Sequence, residues 1–156
     1  LSLDPHDPVR EDNLDAWREV LALLDVFFVS EEELQLEGAA RDPRAALARL
    51  AGGRLKLVLL KRGAGGGLLF DARANEFIEW PARARDVVDP TGAGDAFAGG
   101  FLAGLLEGQA VHAALEQGIV AASFALETWG AAGLLAAAPA EARLRQRDWF
   151  AMKAKT

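Results

Sequence analysis

Asp89-Pro90-Thr91-Gly92-Ala93-Gly94-Asp95 runs directly into Ala96-Phe97-Ala98-Gly99-Gly100-Phe101-Leu102. The second stretch reads as a helix and the first as the glycine turn that opens it. Such a turn aims unpaired backbone N–H groups at one point. That point favours an anion, most simply a phosphate. Asp95 stands at the same place. A carboxylate does not bind phosphate, so its economical role is to take a proton from a hydroxyl that attacks the phosphate. The helix is small-sided at Ala96, Ala98, Gly99, Gly100, Ala103 and Gly104, and Phe97, Phe101 and Leu105 mark another face. A mid-helix glycine costs about 1 kcal/mol relative to alanine, which implies close approach of a neighbouring backbone or of a ligand.

Working outward, residues 86–88 read as a short strand into the motif. Residues 1–3, 26–29 and 55–60 read as further strands; 26–29 is a continuous apolar run and 55–60 is apolar but for Lys56, as in strands buried on both faces. Residues 63–67 form a glycine-rich turn. Residues 68–70 and 76–80 pair through a turn at Arg73-Ala74-Asn75. A helix capped by Asp12 or Asn13 runs to about Leu24. Ser30-Glu31-Glu32-Glu33 has the form of a capping box and predicts a short helix. Asp42-Pro43 opens another, which ends near Gly52-Gly53. Residues 96–107, 111–127 and 140–150 are helical by pattern, and Lys153 and Lys155 read as a solvated tail. Strand–helix alternation predicts an α/β fold with a mostly parallel sheet covered on both faces.

The 156 residues suffice for one domain with a core, and 51% of them are hydrophobic. The formal charge of −6 disfavours nucleic acid and anionic membranes as partners. There is no cysteine, so disulfides and cysteine metal sites are excluded, and two histidines leave little for a histidine site. The apolar run 96–106 is shorter than the roughly 20 residues that span a bilayer. The chain opens Leu-Ser-Leu-Asp-Pro, with neither Met nor a basic leader. That opening predicts that a segment precedes it, and the expected setting is cytoplasmic.

The motif Asp89 to Phe97, followed by Gly99-Gly100-Phe101, resembles the second signature of the ribokinase-like, or pfkB, carbohydrate kinases. The resemblance extends over essentially the whole chain, in the order of the C-terminal half of such a kinase. One departure is Pro90, where Thr is usual. The resemblance implies a three-layer α/β/α sandwich of the ribokinase type. It also implies an ATP-dependent transfer to a sugar or nucleoside hydroxyl, with Mg²⁺ as cofactor. Asp95 inherits the role of catalytic base, and the N–H groups of Gly92, Ala93 and Gly94 that of anion hole. Asp89 would lie by a monovalent-cation (K⁺) site; an Asx-type turn explains it equally well.

Lys61-Arg62-Gly63-Ala64-Gly65-Gly66 stands where the family has a nucleotide-contacting turn, often Thr-x-Gly-x-x-Gly. Gly63 and Gly66 fit, with Ala64 between them as a candidate contact, and Lys61 replaces the commoner Thr with an ammonium able to meet a phosphate. A plain hairpin approach would look the same. Ser30 to Glu33 matches an Asn-x-x-Glu element in which the Glu organises Mg²⁺ through water. Here Glu33 is kept and Ser30 replaces the Asn; the capping box alone accounts for both. Ala122 and Ser123 stand on a helix that lines the adenine pocket in the family, closed by Gly130-Ala131, and an amphipathic core helix reads the same way.

The sugar-binding half and the lid, which usually makes a homodimer contact, have no counterpart here. The 156 residues by themselves are therefore not expected to turn over a sugar. A non-catalytic binding domain of the same fold is the alternative, which an intact Asp95 disfavours. A dinucleotide-binding oxidoreductase would want Gly-x-Gly-x-x-Gly after its first strand. The Gly-x-x-x-x-Gly-Lys-Ser/Thr of a P-loop kinase is absent.

Overall fold

Two apolar runs, Val26–Ser30 and Leu57–Lys61, build the centre of a five-stranded sheet. The computed structural model describes residues 1–84, 86–130 and 132–153, with side chains as far as 147. The strands are β1 (Ser2–Leu3), β2 (Val9–Arg10), β3 (Val26–Ser30), β4 (Leu34–Gln35), β5 (Leu57–Lys61), β6 (Gly67–Asp71) and β7 (Glu76–Trp80). The helices are α1 (Leu14–Leu21), α2 (Pro43–Leu50), α3 (Ala93–Leu106), α4 (Val111–Leu126), α5 (Ala132–Ala136) and α6 (Pro139–Lys153). The chain divides into two units, Leu1–Ala82 with every named strand and a helical unit from Arg83 onward.

In the first unit the sheet order is β1-β3-β5-β6-β7. The crossovers carrying α1 and α2 allow β1, β3 and β5 to run parallel. Only short turns follow β5 and β6, so those connections are hairpins and the pairs are antiparallel. Asn75, at φ +52°, makes the second turn as the sequence predicts. With the small β2–β4 ladder, three of the five pairings are parallel.

Register sorts the side chains into two faces. Phe27, Val29, Val58, Leu60, Leu68 and Phe70 share a core with Leu14 and Leu21 of α1 and with Ala46, Leu47 and Leu50 of α2. Phe28, Leu59, Leu69, Ile78 and Trp80 alternate with them and are buried as well. A sheet that is apolar and buried on both faces is an internal layer, as expected from the unbroken apolar runs.

Local differences have local causes. Asp42 caps α2 by accepting from the Ala45 N–H at 3.0 Å, with Pro43 at the first helical position. Helix α1 ends at Leu21 rather than Leu24, and Asn13 holds its N-cap position without a side-chain cap bond. The Asn13 side chain instead accepts from the Arg10 N–H and donates to the Pro8 carbonyl. The capping-box bonds of Ser30 and Glu33 form, at 2.7 and 3.2 Å, yet no helix follows. Glu33 O accepts the Val9 N–H and Leu34 is buried, so β2 draws the chain into a parallel ladder.

In the helical unit, α3 begins at Ala93 rather than Ala96. The glycines of α3 and α4 answer to close helix approach. A Cβ on Gly100 would lie 2.9 Å from Ala121 Cβ, and one on Gly118 would lie 2.7 Å from Phe97 O. Gly99 differs, with nothing within 4 Å of its Cβ position. We therefore expect Gly99→Ala to stabilise by up to about 1 kcal/mol. Gly118→Ala should destabilise by about 1–3 kcal/mol through overpacking. Urea unfolding of both variants checks this; a destabilising Gly99→Ala would refute the open-face reading.

Residues 86–88 do not form the expected strand. The Val88 and Asp89 N–H groups donate to Leu126 O at the end of α4, so they are satisfied without a ladder. Helix α5 was not anticipated, and α6 continues to Lys153; Lys155 lies outside the described residues. Among the described residues no helix is long and apolar enough to cross a membrane.

Candidate functional site

The helical unit carries the Asp-Pro-Thr-Gly-Ala-Gly-Asp motif as a built turn. Gly92 is the N-cap of α3 at φ +78°, a left-handed conformation that glycine adopts without steric cost. Ala93, Gly94 and Asp95 are the first three helical residues. In that first turn no helical carbonyl stands one turn earlier to accept the N–H groups of Gly94 and Asp95. The Ala93 N–H donates to Pro90 O at 3.3 Å, and the Asp95 N–H joins the expected donors of Gly92 and Gly94. Asp95 is exposed, and among the described residues no charged side chain pairs with it.

Asp89 shapes this turn. Its Oδ1 accepts the Thr91 N–H at 2.9 Å, and its Oδ2 accepts the Gly130 N–H at 3.3 Å. The Thr91 backbone and side chain, then the Gly130 N–H, hold its carboxyl below the usual carboxylate range. This is the Asx-type geometry, extended to Gly130 beyond the end of α4. Ala131, the next residue, lies outside the described residues.

Ser123 is buried, and its hydroxyl is committed. It donates to Val120 O and accepts from Arg145 Nη1, both at 2.7 Å. Arg145 also grips Glu127 with two bonds, reaches Glu141 at 3.2 Å and lies 4.0 Å above the Phe124 ring. Ser123 is thus tied into an α4–α6 lock that its sequence position alone did not reveal. Ala122, beside it, is half-buried.

In the first unit, Ser30 and Lys61 end β3 and β5 side by side, in one cross-strand row with Gly67 and Trp80. Lys61 Nζ contacts both Asp4 oxygens, at 2.6 and 2.5 Å. Glu33 accepts the Ser30 N–H through Oε2 and keeps its other oxygen for a further partner. Residues Gly63–Gly65 form a single 3₁₀ turn, and Ala64 at its centre is exposed. Gly66 closes the turn at φ +81°, where a Cβ would fall 1.9 Å from Trp80 O. Packing alone therefore demands glycine at 66. A cleft of about 390 Å³ adjoins this region, with Glu31, Arg62, Leu34 and Pro43 among its lining. Among the described residues no three His, Asp or Glu side chains converge to hold a metal.

These features have counterparts in known proteins. Residues 4–137 match the family model described as pfkB family carbohydrate kinase. A cytidine kinase of Thermococcus kodakarensis is 38% identical over 116 residues, which cover 74% of this chain and 42% of that one. A fructokinase of Klebsiella pneumoniae is 38% identical over 113 residues, 67% of this chain and 36% of that one. A putative ribokinase II from E. coli, in a structure with ATP and Mg²⁺, superposes with a TM-score of 0.71 at 28% identity. That match covers 94% of this chain and 48% of the other. The chain thus spans less than half the length of each of these relatives. With the signature turn, the ribokinase-like fold and a family match over most of its length in agreement, the chain belongs to the pfkB family of carbohydrate kinases.

Proposed function

We propose that this chain is the C-terminal, nucleotide-binding and catalytic part of an ATP-dependent kinase acting on a sugar or nucleoside hydroxyl. The observation that supports this best is the left-handed Gly92 cap with an exposed Asp95 in the first turn of α3. The donors of Gly92 and Gly94, with the Asp95 N–H and the partly engaged Ala93 N–H, face the transferring phosphoryl group. Asp95 accepts the proton of the attacking hydroxyl. The transition state is loose, so the protein mainly positions groups and offsets charge. The names of the relatives, a cytidine kinase and a fructokinase, support this acceptor class.

In the first unit the turn Gly63, Ala64, Gly66 and the Lys61 ammonium contact nucleotide. Ala122 offers a small wall to the base, whereas the hydroxyl of Ser123 is spent on Arg145. Asp89 shapes the loop through its bonds to the Thr91 and Gly130 N–H groups, and the remaining lone pairs of its oxygens would face a monovalent cation such as K⁺. Mg²⁺ would arrive with the nucleotide and keep several waters, as this ion usually does beside phosphates. When bound it would neutralise phosphate charge. Glu33, with one oxygen free, would orient a water of that ion.

Coupled ADP release by the full-length protein, over a panel of sugars and nucleosides, tests the reading; no turnover with any acceptor would refute it. Glu33→Gln should raise the Mg²⁺ concentration needed for half-maximal rate several-fold. An unchanged Mg²⁺ dependence would leave the bonds to Ser30 as the whole role of Glu33.

A further inference from the structure

The Lys61–Asp4 pair joins the ends of two strands that are not neighbours. In the order β1-β3-β5, β3 lies between them. Asp4 follows β1 directly, and Lys61 is the last residue of β5. The bridge therefore spans the carboxyl end of β3 beside Ser30, which pairs in register with Lys61. Carboxyl ends of parallel strands are where open α/β sheets bind their ligands. The two side chains are only 21% and 24% exposed, so solvent screens them less than it does the surface pairs Arg18–Asp15 and Arg44–Glu79.

We propose that Asp4 is a positioning residue, holding the Lys61 ammonium over the strand ends as a preformed contact for a nucleotide phosphate. This rests on the kinase reading above and adds to it a residue with no place in the signature turn. A free lysine side chain has four rotatable bonds, and fixing it on binding is entropically costly. Asp4 fixes it before the ligand arrives. The ammonium has three donors, and one stays available when two are given to the carboxylate. Arg62, the next residue, is unsuited to this task, because its Nε faces Glu31 at 3.8 Å.

Calorimetric titration of the full-length protein with Mg²⁺ and a non-hydrolysable ATP analogue tests the proposal, alongside KM and kcat. Lys61→Met should weaken nucleotide binding roughly tenfold, the scale of one charge-assisted hydrogen bond. Asp4→Asn should weaken it by a similar factor, and Asp4→Glu should restore most of the loss. The double variant Asp4→Asn/Lys61→Met should bind no more weakly than Lys61→Met alone. KM for the acceptor should move less than KM for ATP. Thermal melts of each variant identify any that fail to fold, and the comparison then rests on the Lys61→Met and Asp4→Glu proteins.

A strap that only ties β1 to β5 would lower the melting temperature and leave nucleotide affinity unchanged; that result overturns the proposal. Tighter binding by Asp4→Asn overturns it too, since the carboxylate would then merely compete with phosphate. A wild type that binds nucleotide but transfers no phosphoryl group would sink the kinase reading while the Asp4 comparison still decides this one. A wild type that binds no nucleotide would sink both.

Discussion

Asp95→Asn in the full-length protein should lower kcat by about 10²–10⁴-fold, the usual contribution of general-base catalysis. Asn is nearly isosteric with Asp and keeps its place in the first turn of α3, which Gly92 initiates without help from residue 95. It cannot take the proton of the attacking hydroxyl. The backbone donors at Gly94 and residue 95 remain, so nucleotide affinity should hold or rise slightly as a negative charge leaves the phosphate. Because Asp95 is exposed and makes no ion pair among the described residues, folding should be unaffected. Coupled ADP release and calorimetric titration read the two effects separately. Near-normal turnover would remove Asp95 as the base, and lost nucleotide binding would make it structural.

Phe101→Ala should do the reverse, costing about 3–5 kcal/mol of stability as a large-to-small change at a sealed site. Phe101 has no exposure, and its ring lies 6.4 Å from that of Phe97 in the same helix. A Cβ on Gly118 of α4 would lie 3.2 Å from the Phe101 Cβ, so the two helices approach closely here. Collapse of α4 into the hole is limited, because Gly100 and Gly118 are already in contact with the facing helix. Domains have about 5–15 kcal/mol of total stability, so the loss should shift the urea midpoint far more than any surface change. Turnover per folded molecule should fall less than for Asp95→Asn. A cost under about 1 kcal/mol would show that the helix pair repacks freely.

Much of this protein is decided by short-range chemistry and was legible in the sequence. The doubly buried strands around Phe28 and Leu59 follow from unbroken apolar runs, and the β6–β7 hairpin follows from its Asn75 turn. The signature turn follows from Gly92, which takes its left-handed conformation at the start of α3 without steric cost. The family itself was readable from that motif and is borne out over residues 4–137. What the sequence left open depended on partners distant along the chain. Ser30 and Glu33 make their capping bonds, but Val9 decides that a strand follows instead of a helix. Val88 looks like a strand residue until Leu126 O takes its N–H. The α3 glycines were compatible with a ligand or a neighbour, and the backbone of α4 settles Gly100 as the latter. Ser123 waits on Arg145, and Lys61 on Asp4, residues 22 and 57 positions away. Propensity and periodicity are properties of a window of residues. Hydrogen-bond satisfaction and close packing are properties of the folded chain, and at these positions they outweighed the local preference.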